Sequence, residues 1–170
     1  MNYSVNFTGA LDKAAGLAAR TGGLVCTEHL LYGLAAQGGC NAQRMLAAAR
    51  VTAEEVLSLF NLREPVSRVA MSTRANRAVS NATALARQTG AGQVNTEHLL
   101  FALLYDRESV AAQMLEKRWG ADTSVMRAKL WQQITGEGEE QTAPPRPADP
   151  GDLLYTVLGC VVRRSPSRGS

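Results

Sequence analysis

Residues 27–31 read Thr-Glu-His-Leu-Leu, and the same five residues recur at 96–100, an offset of 69 positions. The flanks repeat at this offset as well, pairing Val25 with Val94, Met45 with Met114 and Leu46 with Leu115. Self-similarity at a fixed spacing indicates a duplicated structural unit. The chain is therefore predicted to hold two copies of one unit, at about residues 5–62 and about residues 71–135.

Each copy shows the spacing of apolar residues that is typical of four amphipathic helices. Alanine and leucine dominate the apolar residues, and aromatic residues make up only 5% of the chain. Both are good helix formers, so we expect an all-α fold. One unit alone is too small to bury its apolar faces, and the two should pack as one pseudo-twofold bundle over residues 1–135.

The helix starts are predicted from residues that cap helices well. Thr8 is expected to cap the first helix, and Thr27 and Thr96 to cap the second helix of each copy. Thr52 should open a fourth helix, with Glu55 completing a capping box. The last helix is expected to bury an apolar stripe made of Val125, Met126, Leu130 and Ile134.

The C-terminal segment has a different composition. Residues 136–170 hold five of the six prolines, together with glycine and scattered charges. This composition predicts a flexible tail. An apolar stretch at residues 152–162 is either a docking segment or part of an unpacked terminus, and the sequence leaves its role open.

Charge and composition exclude several classes of function. The net charge of +3 is spread along the chain without a basic stripe, so we expect no nucleic-acid partner. No signal peptide or membrane span is predicted, and the three cysteines form no CxxC pair, which favours free thiols in the cytoplasm. A Walker motif is absent from the sequence, so we expect neither ATP binding nor any other cofactor.

The repeated motif is the one constellation that suggests a binding site. Glu28 and Glu97 lie in a first helical turn, where a carboxylate is favoured by the helix dipole on structural grounds alone. A carboxylate beside free backbone N–H groups can also hold a cation next to an anion, and the motif occurs twice. Both interpretations stay open for the two glutamates.

The motif histidines do not indicate a metal or catalytic site. His29 and His98 lack a second ligand one turn away, so helix-start or core histidines are favoured over zinc ligands. Neighbouring helix residues point about 100° apart, which places a Glu-His pair poorly for concerted catalysis. Cys26 has no conspicuous base partner and is interpreted as a small buried filler. The chain is predicted not to be an enzyme.

The doubled motif, with Phe7-Thr8 and Met71-Ser72 upstream, resembles the N-terminal (Clp repeat) domain of the Clp-family AAA+ unfoldases. The resemblance covers about residues 5–135. It implies a non-catalytic module that binds adaptors or substrate proteins for a Clp ATPase and protease. The chain resembles this domain without ATPase modules, as a standalone or truncated form.

In part of that family the resemblance further implies recognition of phosphorylated arginine. The glutamate would hold the guanidinium and a hydroxyl would help to hold the phosphoryl group. The matching pairs are Glu28 with Thr8, and Glu97 with Ser72. Phe7 and Thr27 are only 20 positions apart, so the first helix is either shortened or begins before Phe7. The Ser72–Glu97 pair is therefore the preferred site.

Two alternatives remain beside this interpretation. The helix that carries Arg74, Arg77 and Arg87 would be the recognition helix of a DNA-binding regulator, although it is rich in alanine and asparagine. A purely structural accessory subunit of a Clp complex is the other alternative.

Overall fold

The computed structural model describes residues 1–136, which form eight α-helices in two sets of four. In the first repeat these are α1 (Val5–Ala19), α2 (Thr27–Ala36), α3 (Asn41–Ala48) and α4 (Ala53–Leu57). In the second repeat they are α5 (Thr73–Gln88), α6 (Thr96–Tyr105), α7 (Val110–Lys117) and α8 (Thr123–Thr135). The prediction of two four-helix repeats is confirmed.

The sequence did not predict four strands of two residues each. They are β1 (Asn2–Tyr3), β2 (Leu24–Val25), β3 (Ala70–Met71) and β4 (Gln93–Val94). β1 pairs in parallel with β4, and β2 pairs in parallel with β3. Each pair therefore joins the strand before the first helix of one repeat to the strand before the second helix of the other. Two residues are too few to show a strand periodicity, which explains the omission.

The first helices of the two repeats, α1 and α5, correspond at an offset of 68. Ser4 and Ser72 are their N-caps, and each hydroxyl accepts the backbone N–H three residues on. The prediction of Thr8 as a cap is wrong. Thr8 lies one turn inside α1, where its hydroxyl donates to the carbonyls of Ser4 and Val5. Of the two explanations for the short spacing, the helix that begins before Phe7 is correct.

The motif helices α2 and α6 lie at the centre of the bundle. Because both repeats pack against them, they are buried on nearly every side rather than along one stripe. Seven of their leucines are at most 1% exposed: Leu30, Leu31, Leu34, Leu99, Leu100, Leu103 and Leu104. Burial of each such side chain contributes about 1.5–3 kcal/mol. The repeated Leu-Leu pairs thus form the shared core.

Two local predictions need correction. Thr52 caps α4 as expected, but Glu55 faces Arg118 of the second repeat at 3.7 Å, so only the Thr52 half of the capping box is present. In α8, Met126 and Leu130 are buried as predicted, whereas Val125 is 46% exposed. Val125 directly precedes the buried Met126, and because α8 is buried on one face only, its adjacent positions do not both face the core.

Within residues 1–136, no helix combines the length and apolar character needed to cross a membrane. The predicted tail beyond Gly136, including the apolar stretch at 152–162, lies outside the described residues.

Candidate functional site

The repeated motif builds two equivalent helix starts. Cys26 and Asn95 are the N-caps, and Thr27 and Thr96 are the first helical residues rather than caps. Both helices therefore begin one residue earlier than predicted. The histidine closes a capping box in each copy. The Cys26 N–H donates to His29 Nδ1 at 2.9 Å, and the Asn95 N–H donates to His98 Nδ1 at 2.8 Å. The histidine therefore satisfies a backbone donor that the helix leaves free.

The two histidines differ at their other nitrogen. Because Nδ1 accepts, Nε2 carries the proton in the neutral ring. His29 Nε2 donates to the hydroxyl of Thr21 at 2.8 Å, whereas His98 Nε2 is buried without a partner among the described residues. Burial lowers the pKa of both, and that of His98 falls to about 4. Both rings are neutral at pH 7 and buried, so neither is placed for acid–base catalysis.

The motif threonine of the first repeat connects the two repeats. The Thr27 hydroxyl accepts the backbone N–H of Ala111, in the first turn of α7, at 3.3 Å. The start of α7 is thereby held against the start of α2. A hydroxyl at this position has a structural role that the sequence did not indicate, because the partner lies 84 positions away.

The structure brings Ser72 to the glutamate of the other repeat. The Ser72 N–H donates to the carbonyl of Val25 at 2.8 Å, three residues before Glu28. The Ser72 side chain acts on the adjacent Cys26 thiol and opposes the rise in its pKa. By the same strand pairing, the Ser4 N–H donates to the carbonyl of Val94 at 3.0 Å, next to the helix start that carries Glu97.

The predicted pairs within each repeat are not brought together. Ser72 caps one end of α5, and the loop to Glu97 leaves from the other end of this 16-residue helix, about 24 Å away. Thr8 is likewise separated from Glu28 by most of α1. The backbone hydrogen bonds instead place Ser72 beside the helix start that carries Glu28, and Ser4 beside the helix start that carries Glu97. Ser4 was missed, although its offset from Ser72 nearly equals that of the motif.

Three helix starts converge around each motif glutamate. Glu28 lies where α2, α5 and α7 begin, and Glu97 lies where α6, α1 and α3 begin. Helix starts carry free N–H groups and a positive dipole end, so both places favour an anion beside the carboxylate.

The two glutamates differ in how they are engaged. Glu97 Oε2 accepts from the Asn41 side chain at 3.5 Å. Val110, which is 47% exposed, stands at the equivalent position in the second repeat and offers no donor. Glu28 Oε1 is accordingly buried without a hydrogen-bond partner in the part of the chain that the structure describes.

The site also contains one group of potential metal ligands. Cys26, Glu28 and His29 hold a thiol, a carboxylate and an imidazole within 4.8 Å of one another, a donor set that suits zinc. However, Cys26 N–H and Thr21 Oγ1 already engage the two nitrogens of His29. Burial and the charge of Glu28 raise the pKa of the Cys26 thiol, which keeps it protonated. The residues therefore fit a metal ion poorly and Cys26 is not an activated nucleophile.

Comparison with known proteins identifies the fold family. Residues 70–158, just over half of the chain, match the family model of the Clp repeat (R) N-terminal domain. The chain belongs to this family. Chaperone protein ClpC1 of Arabidopsis thaliana, a chloroplastic protein, is 34% identical over 126 residues, which is 70% of this Clp repeat domain chain and 13% of ClpC1. The chain thus spans 13–15% of the length of these curated relatives.

Solved Clp N-terminal domains share the fold of this chain. The N-terminal domain of ClpD from Arabidopsis thaliana superposes with a TM-score of 0.60 at 21% identity, covering 78% of this chain and 97% of that domain. The ClpV N-domain in complex with a VipB peptide superposes with a TM-score of 0.59 at 20% identity, covering 82% and 91%.

Proposed function

We propose that this Clp repeat domain is a non-catalytic recognition module that binds segments of substrate or adaptor proteins for a Clp ATPase and protease. Relatives of the chain are named as Clp ATPase subunits, and a neighbour of the same fold is a ClpV N-domain bound to a peptide. These 170 residues contain no Walker motif, so we do not propose ATP hydrolysis for this domain itself. Its cytoplasmic location stays a prediction.

The finer proposal is that the Glu28–Ser72 site takes phosphorylated arginine. The observation that carries it is the buried, unpartnered Oε1 of Glu28. A buried carboxylate oxygen without a donor is costly, and a guanidinium supplies planar, charge-assisted donors. The hydroxyl of Ser72 and the starts of α5 and α7 lie beside it and suit the phosphoryl oxygens.

Glu97 is the second proposed site, with Ser4 as the adjacent hydroxyl. Its carboxylate already accepts from Asn41. A guanidinium must displace or share that bond, so we expect weaker binding at Glu97 than at Glu28. This reverses the preference for the Ser72–Glu97 pair that the sequence suggested. Thr8, which is exposed on α1, has no part in either site as proposed here.

Isothermal titration with free phosphoarginine tests this proposal. Glu28→Ala should weaken binding at least tenfold, because a hydrogen bond to a charged group contributes about 1.5–3 kcal/mol. Glu97→Ala should have a smaller effect. Glu54→Ala, which removes an exposed first-turn glutamate of α4, is the matched control and should have none. Unmodified arginine should not bind at these concentrations.

Other outcomes discriminate between the alternatives. Absence of heat with phosphoarginine, or binding that survives Glu28→Ala and Glu97→Ala, rejects the phosphoarginine site. Retention of duplex DNA with a steep salt dependence would favour the DNA-binding regulator. Co-purification with Clp ATPase or peptidase subunits, without any bound substrate or adaptor, would favour the structural accessory subunit.

A further inference from the structure

A cavity of about 170 Å³ opens between α5 and α6 in the second repeat. Arg77 and Asn81 of α5 line one wall, Ala102 and Asp106 of α6 line the other, and Thr27 and Ser109 line the end where α2 and α7 begin. Sites for drug-sized ligands occupy about 300–1,000 Å³. This cavity therefore has room for one side chain rather than for a whole small molecule.

The polar groups of the cavity favour an anion. Arg74 binds Asp106 through both carboxylate oxygens, at 2.9 and 2.7 Å, and the two charges compensate each other. Arg77 makes no ion pair or hydrogen bond to any described residue, and neither does the Asn81 side chain. The lining thus carries one uncompensated positive charge, and the helix starts at Thr27 and Ser109 add positive dipole ends.

The equivalent place in the first repeat is closed by its own side chains. Gln37 stands where Asp106 stands in the second repeat. Its side chain donates to Asn6 at 2.9 Å and accepts from Lys13 at 2.8 Å. Gly9 stands at the position of Arg77, and a Cβ there would lie 2.5 Å from Gln37 Oε1. The first repeat therefore fills with Gln37 the space that the second repeat leaves open.

Helix packing explains the difference. In the first repeat Gly33 of α2 meets α1, and a Cβ at this position would collide with the carbonyl of Ala10. The second repeat has Ala102 at the same position, and its methyl group lines the cavity. The glycine permits a closer approach of the two helices than the alanine does. An open, cationic cavity is thus a specific property of the second repeat.

We infer that this cavity binds the carboxylate side chain of an aspartate or glutamate in a bound protein segment. A guanidinium matches a carboxylate with two parallel hydrogen bonds, and Asn81 adds an amide donor. Thr27 lines the cavity and directly precedes Glu28, so the acidic residue would lie near the residue held at Glu28. The inference rests on the proposed function only in that the ligand is part of a protein.

The experiment titrates the ¹⁵N-labelled full chain with N-acetyl-glutamate N-methylamide and follows backbone amide shifts. We expect saturable shifts at Thr27, Ala78 and Ser109, and at least a tenfold weaker response in Arg77→Gln. The matched variant Arg87→Gln, exposed at the far end of α5, should respond like the unmodified chain. The matched probe N-acetyl-glutamine N-methylamide should give no saturable shifts.

The outcomes separate this inference from the phosphoarginine proposal. The inference is overturned if Arg77→Gln shows the same amide shifts as the unmodified chain, if the glutamine probe gives the same shifts as the glutamate probe, or if no shifts saturate. Each of these outcomes holds independently of the phosphoarginine result. Loss of phosphoarginine binding, with the Arg77-dependent glutamate response intact, rejects only the phosphoarginine site. Preferential binding of duplex DNA through Arg77 would also overturn it, since the ligand would then be a phosphate backbone.

Discussion

The two repeats each contain four helices and bury equivalent positions in their first helices, α1 and α5, but they use the space between their first two helices differently. In the first repeat Gly33 allows α1 and α2 to meet closely, and Gln37 fills the remaining gap. In the second repeat Ala102 and the short Asp106 leave a cavity beside Arg77. The duplicated fold thus tolerates a divergence of surface chemistry, because the core leucines of α2 and α6 keep the helices in place.

A second contrast concerns the motif itself. Within residues 1–136, the first repeat pairs its histidine with Thr21 and leaves Glu28 Oε1 unpartnered, whereas the second leaves His98 Nε2 unpartnered and pairs Glu97 with Asn41. An unpartnered buried polar atom costs free energy, so these atoms are the places where the repeats should respond most differently to perturbation.

The largest expected effect is the acid sensitivity of the second repeat. The pKa of His98 is about 4 in the folded chain against 6.5 for an ordinary histidine. The unfolded state therefore binds the proton first, and stability is lost as the pH falls from about 6.5 towards 4. This difference in pKa contributes roughly 3 kcal/mol to the free energy of unfolding at neutral pH. Roughly 2 kcal/mol of that contribution should be lost between pH 7 and pH 5.

Urea unfolding at the two pH values measures this loss. His98→Gln is the matched variant, because a glutamine at this capping-box position can accept the same backbone N–H without titrating. Its stability should vary less with pH between 7 and 5 than that of the unmodified chain. The same dependence in both proteins would show that His98 is not the group responsible.

The next effect tests the close approach in the first repeat. Gly33→Ala should destabilise the chain by about 1–3 kcal/mol, because the new methyl group collides with the Ala10 carbonyl. Helix propensity alone predicts the opposite, a gain of about 1 kcal/mol. Ala102→Gly, the reciprocal change in the second repeat, should cost only about 1 kcal/mol. Urea unfolding of both variants measures these changes in stability. A Gly33→Ala variant more stable than the unmodified chain would disprove the close packing of α1 against α2.

The smallest effect concerns the motif glutamates. Asn41 of the first repeat donates to Glu97, and Val110 is the equivalent residue of the second repeat. Val110→Asn should therefore supply a donor to Glu28. Phosphoarginine binding should then weaken about two- to fivefold, since so long a hydrogen bond from an uncharged amide contributes about 0.5–1 kcal/mol. Val125→Asn, at a similarly exposed valine of α8, is the control. Unchanged titration isotherms for Val110→Asn would contradict the role given to the orphan carboxylate oxygen.

The duplication, the eight helices and their buried faces could be predicted from the sequence. The reason is that each depends on local information: the spacing of apolar residues, glycine breaks, and a pentapeptide that recurs at a fixed offset. Ala75, Ala78, Ala82 and Ala86, for example, recur at helical spacing in the sequence and are buried in α5. The helix starts were predicted less accurately. Ser4, Cys26 and Asn95 are the actual N-caps, and each lies close to a threonine that is also a good capping residue.

Only the tertiary structure decided which residues lie beside the helix starts of the two motifs. The resemblance to the Clp repeat domain suggested pairs within each repeat, Thr8 with Glu28 and Ser72 with Glu97. Two-residue strands, too short to leave a pattern, instead pair across the repeats and place Ser72 beside the helix start that carries Glu28, and Ser4 beside the one that carries Glu97. The sequence by itself determined the repeated helices and the chemistry they carry. The packing of one repeat against the other determined which charges meet, since non-local contacts leave no trace in local periodicity.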